Sequence, residues 1–154
     1  MMQAGDPIPD VTVIDAEGAP LHLRTCAFPA VLWFYPRDDT SGCTREAADF
    51  SALAGEFAAV GVSLLGISRD DVASHARFRA KHGLVPPLAS DGDGSACEAF
   101  GVWVEKSMYG KRFMGIERAT FLFDANGNLA LHWRKVRVPG HAEAVLTAAR
   151  ALQS

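Results

Sequence analysis

Fully apolar runs alternate along this chain with segments that are apolar on one face only. Ala30-Val31-Leu32-Trp33-Phe34-Tyr35 has no polar position and ends at Pro36. It reads as a strand covered on both faces, although periodicity alone leaves a short buried helix open. Ala47, Phe50, Leu53/Ala54, Phe57 and Val60 then recur at the spacing of a helix with one buried face. Residues 62–68 predict a second buried strand. Asp70-Asp71 open a helix that runs to about His82, is closed by Gly83 and is stopped by Pro86-Pro87. A short strand at residues 88–90 and a helix at 95–100 follow. Residues 11–14 and 21–23 flank the turn Asp15-Ala16-Glu17-Gly18, an opening hairpin; residues 120–124 and 129–133 flank Ala125-Asn126-Gly127-Asn128, a second one. The last helix sets Val145, Ala148, Ala149 and Leu152 on one face. This order predicts an α/β sandwich with a mixed sheet, and the lack of repeats or linkers predicts one domain over residues 1–154.

Composition narrows the function classes. Within 154 residues, 49% are hydrophobic and 21% charged, enough for a sizeable core in one domain. A formal charge of −3 provides no basic face for nucleic acid; the nearest cluster, Arg134, Lys135 and Arg137, is expected on an exposed strand and its end. No apolar run reaches membrane-spanning length, and the first ten residues lack a basic segment followed by an apolar one. The expectation is a cytoplasmic protein in a reducing compartment, binding neither nucleic acid nor membrane. Three cysteines (Cys26, Cys43, Cys97) without a C-x-x-C suit a reactive thiol better than a disulfide framework. The histidines His22, His75, His82, His132 and His141 lack paired-ligand spacing and are expected at the surface or at caps, with no metal. Asp91-Gly92-Asp93-Gly94 lacks the further ligands of a calcium loop and reads as a turn.

The chemistry gathers in Pro36-Arg37-Asp38-Asp39-Thr40-Ser41-Gly42-Cys43. Cys43 falls in the first turn of a helix leaving the carboxyl end of a central strand. Unpaired amides and the positive end of the helix dipole favour an anion there, so this thiol is expected to ionise more readily than a free one. Thr40, three residues earlier, is placed to face both the thiolate and a bound oxygen. Pro36 has no N–H to compete for the sulfur and dries one wall. Gly42 lets a ligand approach the backbone. Glu46, one turn on, either pairs with an arginine near the site or complements the dipole.

The spacing P-x-x-x-T-x-x-C resembles the peroxiredoxin signature. YPRDDTSGCTREAAD (35–49), LGIS (65–68), residues 90–104 and MYGKRFMGIERATFLFD (108–124) are similar to the peroxiredoxin Q family, also called bacterioferritin comigratory protein, over nearly the whole chain. The resemblance implies a thioredoxin-like fold, with an N-terminal β-hairpin and a central mixed β-sheet flanked by helices. It also implies reduction of hydrogen peroxide and organic hydroperoxides without metal, flavin or other cofactor. By position Cys43 matches the peroxidatic cysteine, Thr40 and Pro36 its pocket partners, and Arg118 the active-site arginine. Nothing else in the sequence would single out Arg118 from eleven arginines. Trp103, Met108, Tyr109 and Phe113 precede it and either wall the pocket or form a satellite apolar cluster.

The family's resolving cysteine is missing from both of its usual places, where this chain has Ala48 and Arg79. Cys97 is a candidate internal partner, but a packed small residue on a helix is the plainer reading; Cys26 lies at the amino end of the central strand. The expectation is a one-cysteine peroxidase, monomeric, resolved by an external thiol such as glutathione, glutaredoxin or thioredoxin. A peroxide sensor that relays oxidation to a partner protein is the alternative.

Overall fold

A computed structural model describes residues 2–152. Strands β1 (Thr12–Ile14) and β2 (Pro20–His22) form the opening hairpin, and a 3-10 turn at Leu23–Thr25 leads to β3 (Ala30–Phe34). After β3 come α1 (Ser41–Ala52), α2 (Ala54–Ala59), β4 (Ser63–Ser68), α3 (Val72–His82), β5 (Leu88–Ser90) and α4 (Ser95–Ala99). The chain continues through β6 (Trp103–Met108), β7 (Lys111–Ile116), β8 (Ala119–Phe123), β9 (Leu129–Trp133) and α5 (His141–Ala151). Seven strands make one sheet in the order β2-β1-β5-β4-β3-β8-β9. In it β3, β4 and β5 are parallel, while β1, β8 and β9 are antiparallel to their neighbours. The fold is thioredoxin-like, with the expected mixed sheet flanked by helices.

Side chains on a strand point alternately to opposite faces, so the unbroken apolar run of β3 feeds two cores. Ala30, Leu32 and Phe34 pack with Phe100, Phe121 and Phe123 on one side of the sheet. Val31, Trp33 and Tyr35 pack with Phe50, Phe57, Phe78 and Val145 on the other. Helices α1, α2, α3 and α5 cover the second side, and α4 the first. Trp33 stacks on Phe50 at 4.6 Å between ring centroids. Directly opposite it on β4, a Cβ at Gly66 would stand 2.6 Å from the Trp33 ring and 2.7 Å from Leu88 Cδ2. The indole occupies the space that a side chain at residue 66 would need.

The structure departs from expectation in four places. The helix after Cys43 breaks at Leu53, whose N–H is shared among the Asp49, Phe50 and Ser51 carbonyls; both Phe50 and Phe57 remain fully buried across the break. Residues 103–116 form a separate two-stranded hairpin that the sequence reading did not contain. Its turn is Tyr109-Gly110 at φ 52° and 76°, a left-handed pair without the Asn-Gly or Asp-Gly signature that marks such turns. Leu152 caps α5 and is partly exposed, and Ala142 and Leu146 share the buried face with Val145 and Ala149. Arg134, Lys135 and Arg137 follow β9 rather than lying on it; Arg134 Nε donates to Glu117 at 2.6 Å.

Candidate active site

The carboxyl end of β3 delivers the chain into a loop, residues 36–40, that is fastened from below. Asp38 is buried, and its backbone N–H donates to Asp70 Oδ2 at 2.9 Å. Its carboxylate accepts from Tyr35 Oη (2.6 Å), Ser74 Oγ (2.8 Å) and His75 Nδ1 (2.7 Å). The other His75 nitrogen, Nε2, faces the Ala89 carbonyl oxygen at 3.0 Å. Both ring nitrogens therefore face oxygen atoms, which fixes the ring beneath the loop. Burial pushes the Asp38 carboxyl up, but hydrogen bonds from His75, Tyr35 and Ser74 outweigh it and hold it below the usual range. Asp39, at φ 59°, binds Lys81 Nζ (2.7 Å) and His82 Nε2 (2.8 Å) in the last turn of α3. These hydrogen bonds and contacts pay for the strained backbone at Asp39. His75, like His141, is thus buried, contrary to the surface or capping role expected of the histidines.

Thr40 is the N-cap of α1, yet its side chain makes no capping bond; its hydroxyl donates to the Arg37 carbonyl at 3.0 Å. The first-turn amides of α1 are thereby left without a side-chain acceptor, and Thr40 Oγ1 keeps its lone pairs to receive a donor. The hydroxyl expected to face the thiolate and a bound oxygen thus gives its proton to the bond that closes the loop. Cys43 sits three residues into the helix with 2% of its surface exposed. Arg118 reaches it from the link between β7 and β8, with Nη2 at 3.3 Å from Sγ and Nη1 donating to Glu46 Oε1 at 2.8 Å. A Cβ at Gly42 would lie 3.2 Å from Arg118 Nη2. The close approach that Gly42 was expected to grant a ligand is used by the guanidinium.

Glu46 is thus the arginine partner, not merely a first-turn acid. Only 1% of it is exposed, and burial pushes its carboxyl up to about 7 even with Arg118 pulling the other way. Burial and the Arg118 charge push His141, bonded through Nε2 to Thr120 Oγ1, down to about 4. Between pH 4.5 and 7 the folded protein holds a Glu46 proton that the unfolded chain has lost, so this group lowers stability as pH rises. Between pH 4 and 6.5 the unfolded chain holds a His141 proton that the folded protein lacks, so this group raises stability with pH. The two slopes oppose each other. Glu46→Gln is expected to remove the first and leave stability climbing between pH 4.5 and 6.5 by up to about 1.4 kcal/mol per unit more than in the parent chain. Urea unfolding at pH 4.5, 5.5 and 6.5 measures it; parallel profiles would refute the assignment.

Pro36 walls an open groove of about 530 Å³ together with Trp103, Phe113, Met114 and Ile116. Met108 and Tyr109 stand outside it at the exposed tip of the β6–β7 hairpin. Cys97 is fully buried on the opposite side of the sheet from Cys43, its N–H donating to Asp91 Oδ2 at 2.8 Å. Burial and the Asp91 carboxylate push the Cys97 thiol far up. Half-buried Cys26 packs on that same side, and burial raises its thiol as well. Asp91 caps the turn that begins α4, as expected of that run. Among the described residues no group of three or more His, Cys, Asp or Glu side chains could hold a metal, and no helix is long and apolar enough to cross a membrane.

The AhpC/TSA family model matches residues 4–132. Peroxiredoxin Bcp of Xanthomonas campestris pv. campestris is 54% identical over 121 residues, 79% of this chain and 76% of that protein. Peroxiredoxin Bcp of Bacillus subtilis is 47% identical over 118 residues, 76% of this chain and 75% of its own. A solved structure of the Xanthomonas campestris bacterioferritin comigratory protein, described for its alkyl peroxide reduction activity, matches with TM-score 0.90 at 45% identity, covering 99% of this chain and all of that one. Xylella fastidiosa PrxQ matches with TM-score 0.92 at 38% identity, covering 100% and 99%.

Proposed function

The chain belongs to the AhpC/TSA family, among its Bcp/peroxiredoxin Q thiol peroxidases, and from that premise we propose that Cys43 is the sulfur that reduces the peroxide. The thiolate attacks one peroxide oxygen in line with the O–O bond. The S–O bond forms as the O–O bond breaks, and the leaving oxygen takes a proton and departs as water or alcohol. Cysteine sulfenic acid remains. Charge spreads over S–O–O at the transition state. Arg118 and the Cys43 amide hold that charge, Thr40 Oγ1 accepts from the hydroperoxide O–H and aligns it, while Glu46 fixes the guanidinium and Pro36 excludes water. The observation that carries this reading is the Arg118 guanidinium 3.3 Å from a sulfur at an uncapped helix start.

Residues 1–154 act as one domain, a cytoplasmic monomer in this reading, and the sulfenic acid is resolved by an external thiol such as glutathione, glutaredoxin or thioredoxin. The position of Cys26 and Cys97 across the sheet from Cys43 supports the external partner. The double variant Cys26→Ser/Cys97→Ala is therefore expected to keep at least half of the parent's steady-state peroxide consumption with dithiothreitol. Loss of turnover in a folded double variant would make one of these cysteines the resolving partner. Negligible turnover of the parent chain with every thiol, alongside oxidation of a specific protein, would favour the sensor.

A further inference from the structure

We propose that the groove between the active-site loop and the β6–β7 hairpin recognises a small thiol carrying carboxylates, and that this thiol is the reductant of Cys43. The proposal rests on the external-thiol reading and specifies its partner. Beside the apolar wall described above, the groove presents three cations, Arg37, Arg69 and Lys106, and no carboxylate lines it. The Arg69 guanidinium lies 4.7 Å over the Trp103 ring and donates through Nη2 to the Gly92 carbonyl at 3.0 Å, so it is held with donors to spare. Among the described residues, neither Arg37 nor Lys106 has a carboxylate within 4.0 Å. Lys106 crosses close over Gly115; burial and the Arg118 charge lower the pKa of its ammonium, against the opposite pull of the Cys43 sulfur and Glu117. The groove adjoins the active-site loop through Pro36 and Arg37.

Hydrogen peroxide and simple alkyl peroxides are neutral and gain little from three cations at the entrance. The second half-reaction is different. The protein's other two cysteines lie across the sheet, so the electrons come from outside, and a carboxylate-bearing thiol offsets the mutual repulsion of the groove. Its carboxylates fit the planar donors of Arg37 and Arg69, and its methylenes lie along Trp103, Phe113 and Met114. The incoming thiol sulfur attacks the Cys43 sulfenic acid, forming an S–S bond and releasing water. A second thiol molecule attacks the mixed disulfide, takes the first as its disulfide and returns Cys43 to the thiol. Two thiols are oxidised for each peroxide reduced.

The test compares glutathione with glutathione diethyl ester as reductants of peroxide-oxidised, full-length protein, each rate expressed per thiolate. Glutathione is expected to react about tenfold faster, an advantage that shrinks in 0.5 M salt. In Arg37→Gln and in Arg69→Gln the ratio is expected to fall to about twofold or less; a ratio taken within one variant cancels any loss of folded protein. Among the described residues the Arg37 side chain has no hydrogen-bond partner, so its variant serves if Arg69→Gln disturbs the Trp103 stack. Equal rates for acid and ester in the parent chain, or a preference that survives both variants, would overturn the proposal. So would reduction by an acidic protein thiol with no reaction of small thiols. With dithiothreitol as reductant, an acid-bearing hydroperoxide and its methyl ester are expected to react equally. A preference for that acid, with none among the thiols, would assign the groove to the peroxide and overturn the proposal. Failure of Cys43 to take oxygen from hydrogen peroxide before any thiol is added would instead defeat the peroxidase mechanism, independently of the groove.

Discussion

Cys43→Ser is expected to abolish peroxide consumption while leaving the fold intact. The exchange replaces one small buried atom by another at a position with 2% exposure, so the packing of α1 on β3, with Phe50 stacked on Trp33, survives. What disappears is the nucleophile. A serine hydroxyl at neutral pH is not ionised, and its oxygen cannot be converted to a sulfenic acid or pass through a mixed disulfide. No residue in the described site replaces it: Thr40 spends its proton on the Arg37 carbonyl, and Glu46 is committed to Arg118. Peroxide consumption in excess dithiothreitol should fall to the rate seen without protein, with an unchanged melting curve. Retained activity in this variant would place the chemistry elsewhere.

Arg118→Ala has the second largest expected effect. Its guanidinium is the charged donor beside the sulfur, aimed where negative charge develops, and removing one such preorganised donor costs about 10²–10³-fold in rate. The same change leaves Glu46 buried without its cation. The melting temperature should therefore fall as well, and rate must be measured on folded protein at low temperature. Arg118→Lys separates charge from geometry. An ammonium cannot hold Cys43 Sγ and Glu46 Oε1 in one rigid fork, so this variant should remain at least about tenfold slower than the parent despite keeping its charge. Stopped-flow measurement of the reaction with hydrogen peroxide reads both variants. Parent-like rate constants in Arg118→Ala would remove the guanidinium from the mechanism.

Most of the sheet and the position of the sulfur were legible because they depend on local pattern. The unbroken run at 30–35 could be satisfied only by cover on both faces, and the periodic residues after Cys43 placed the thiol at a helix start. Asp71 and Gly83 bounded α3 as their capping chemistry requires: Asp71 accepts from the Ser74 N–H, and Gly83 adopts φ 60°. Legibility ended where long-range partners decide. The Asp38–His75 pair joins residues 37 positions apart, and a lone histidine on a helix carries no sign of a buried acid beneath a distant loop. Arg118 was reached through family resemblance alone, because its value comes from a strand link folding back onto Gly42 and Cys43. The β6–β7 hairpin was missed because Tyr109-Gly110 is an uncommon way to make a left-handed turn. With that hairpin unseen, the choice for Trp103 and Phe113 between a pocket wall and a separate apolar cluster stayed open, and the cationic edge contributed by Arg69 and Lys106 had no place in the reading.

The central claim is that one sulfur takes the oxygen and hands it on to an outside thiol. One equivalent of hydrogen peroxide added to the fully reduced protein, followed by intact mass and peptide mapping, tests it most directly. The expected product carries a single added oxygen on the Cys43 peptide, converted by added thiol into a mixed disulfide at the same residue. Oxygen found on another residue, or a mass lower by two hydrogens with Cys43 joined to Cys97 or Cys26, would contradict it.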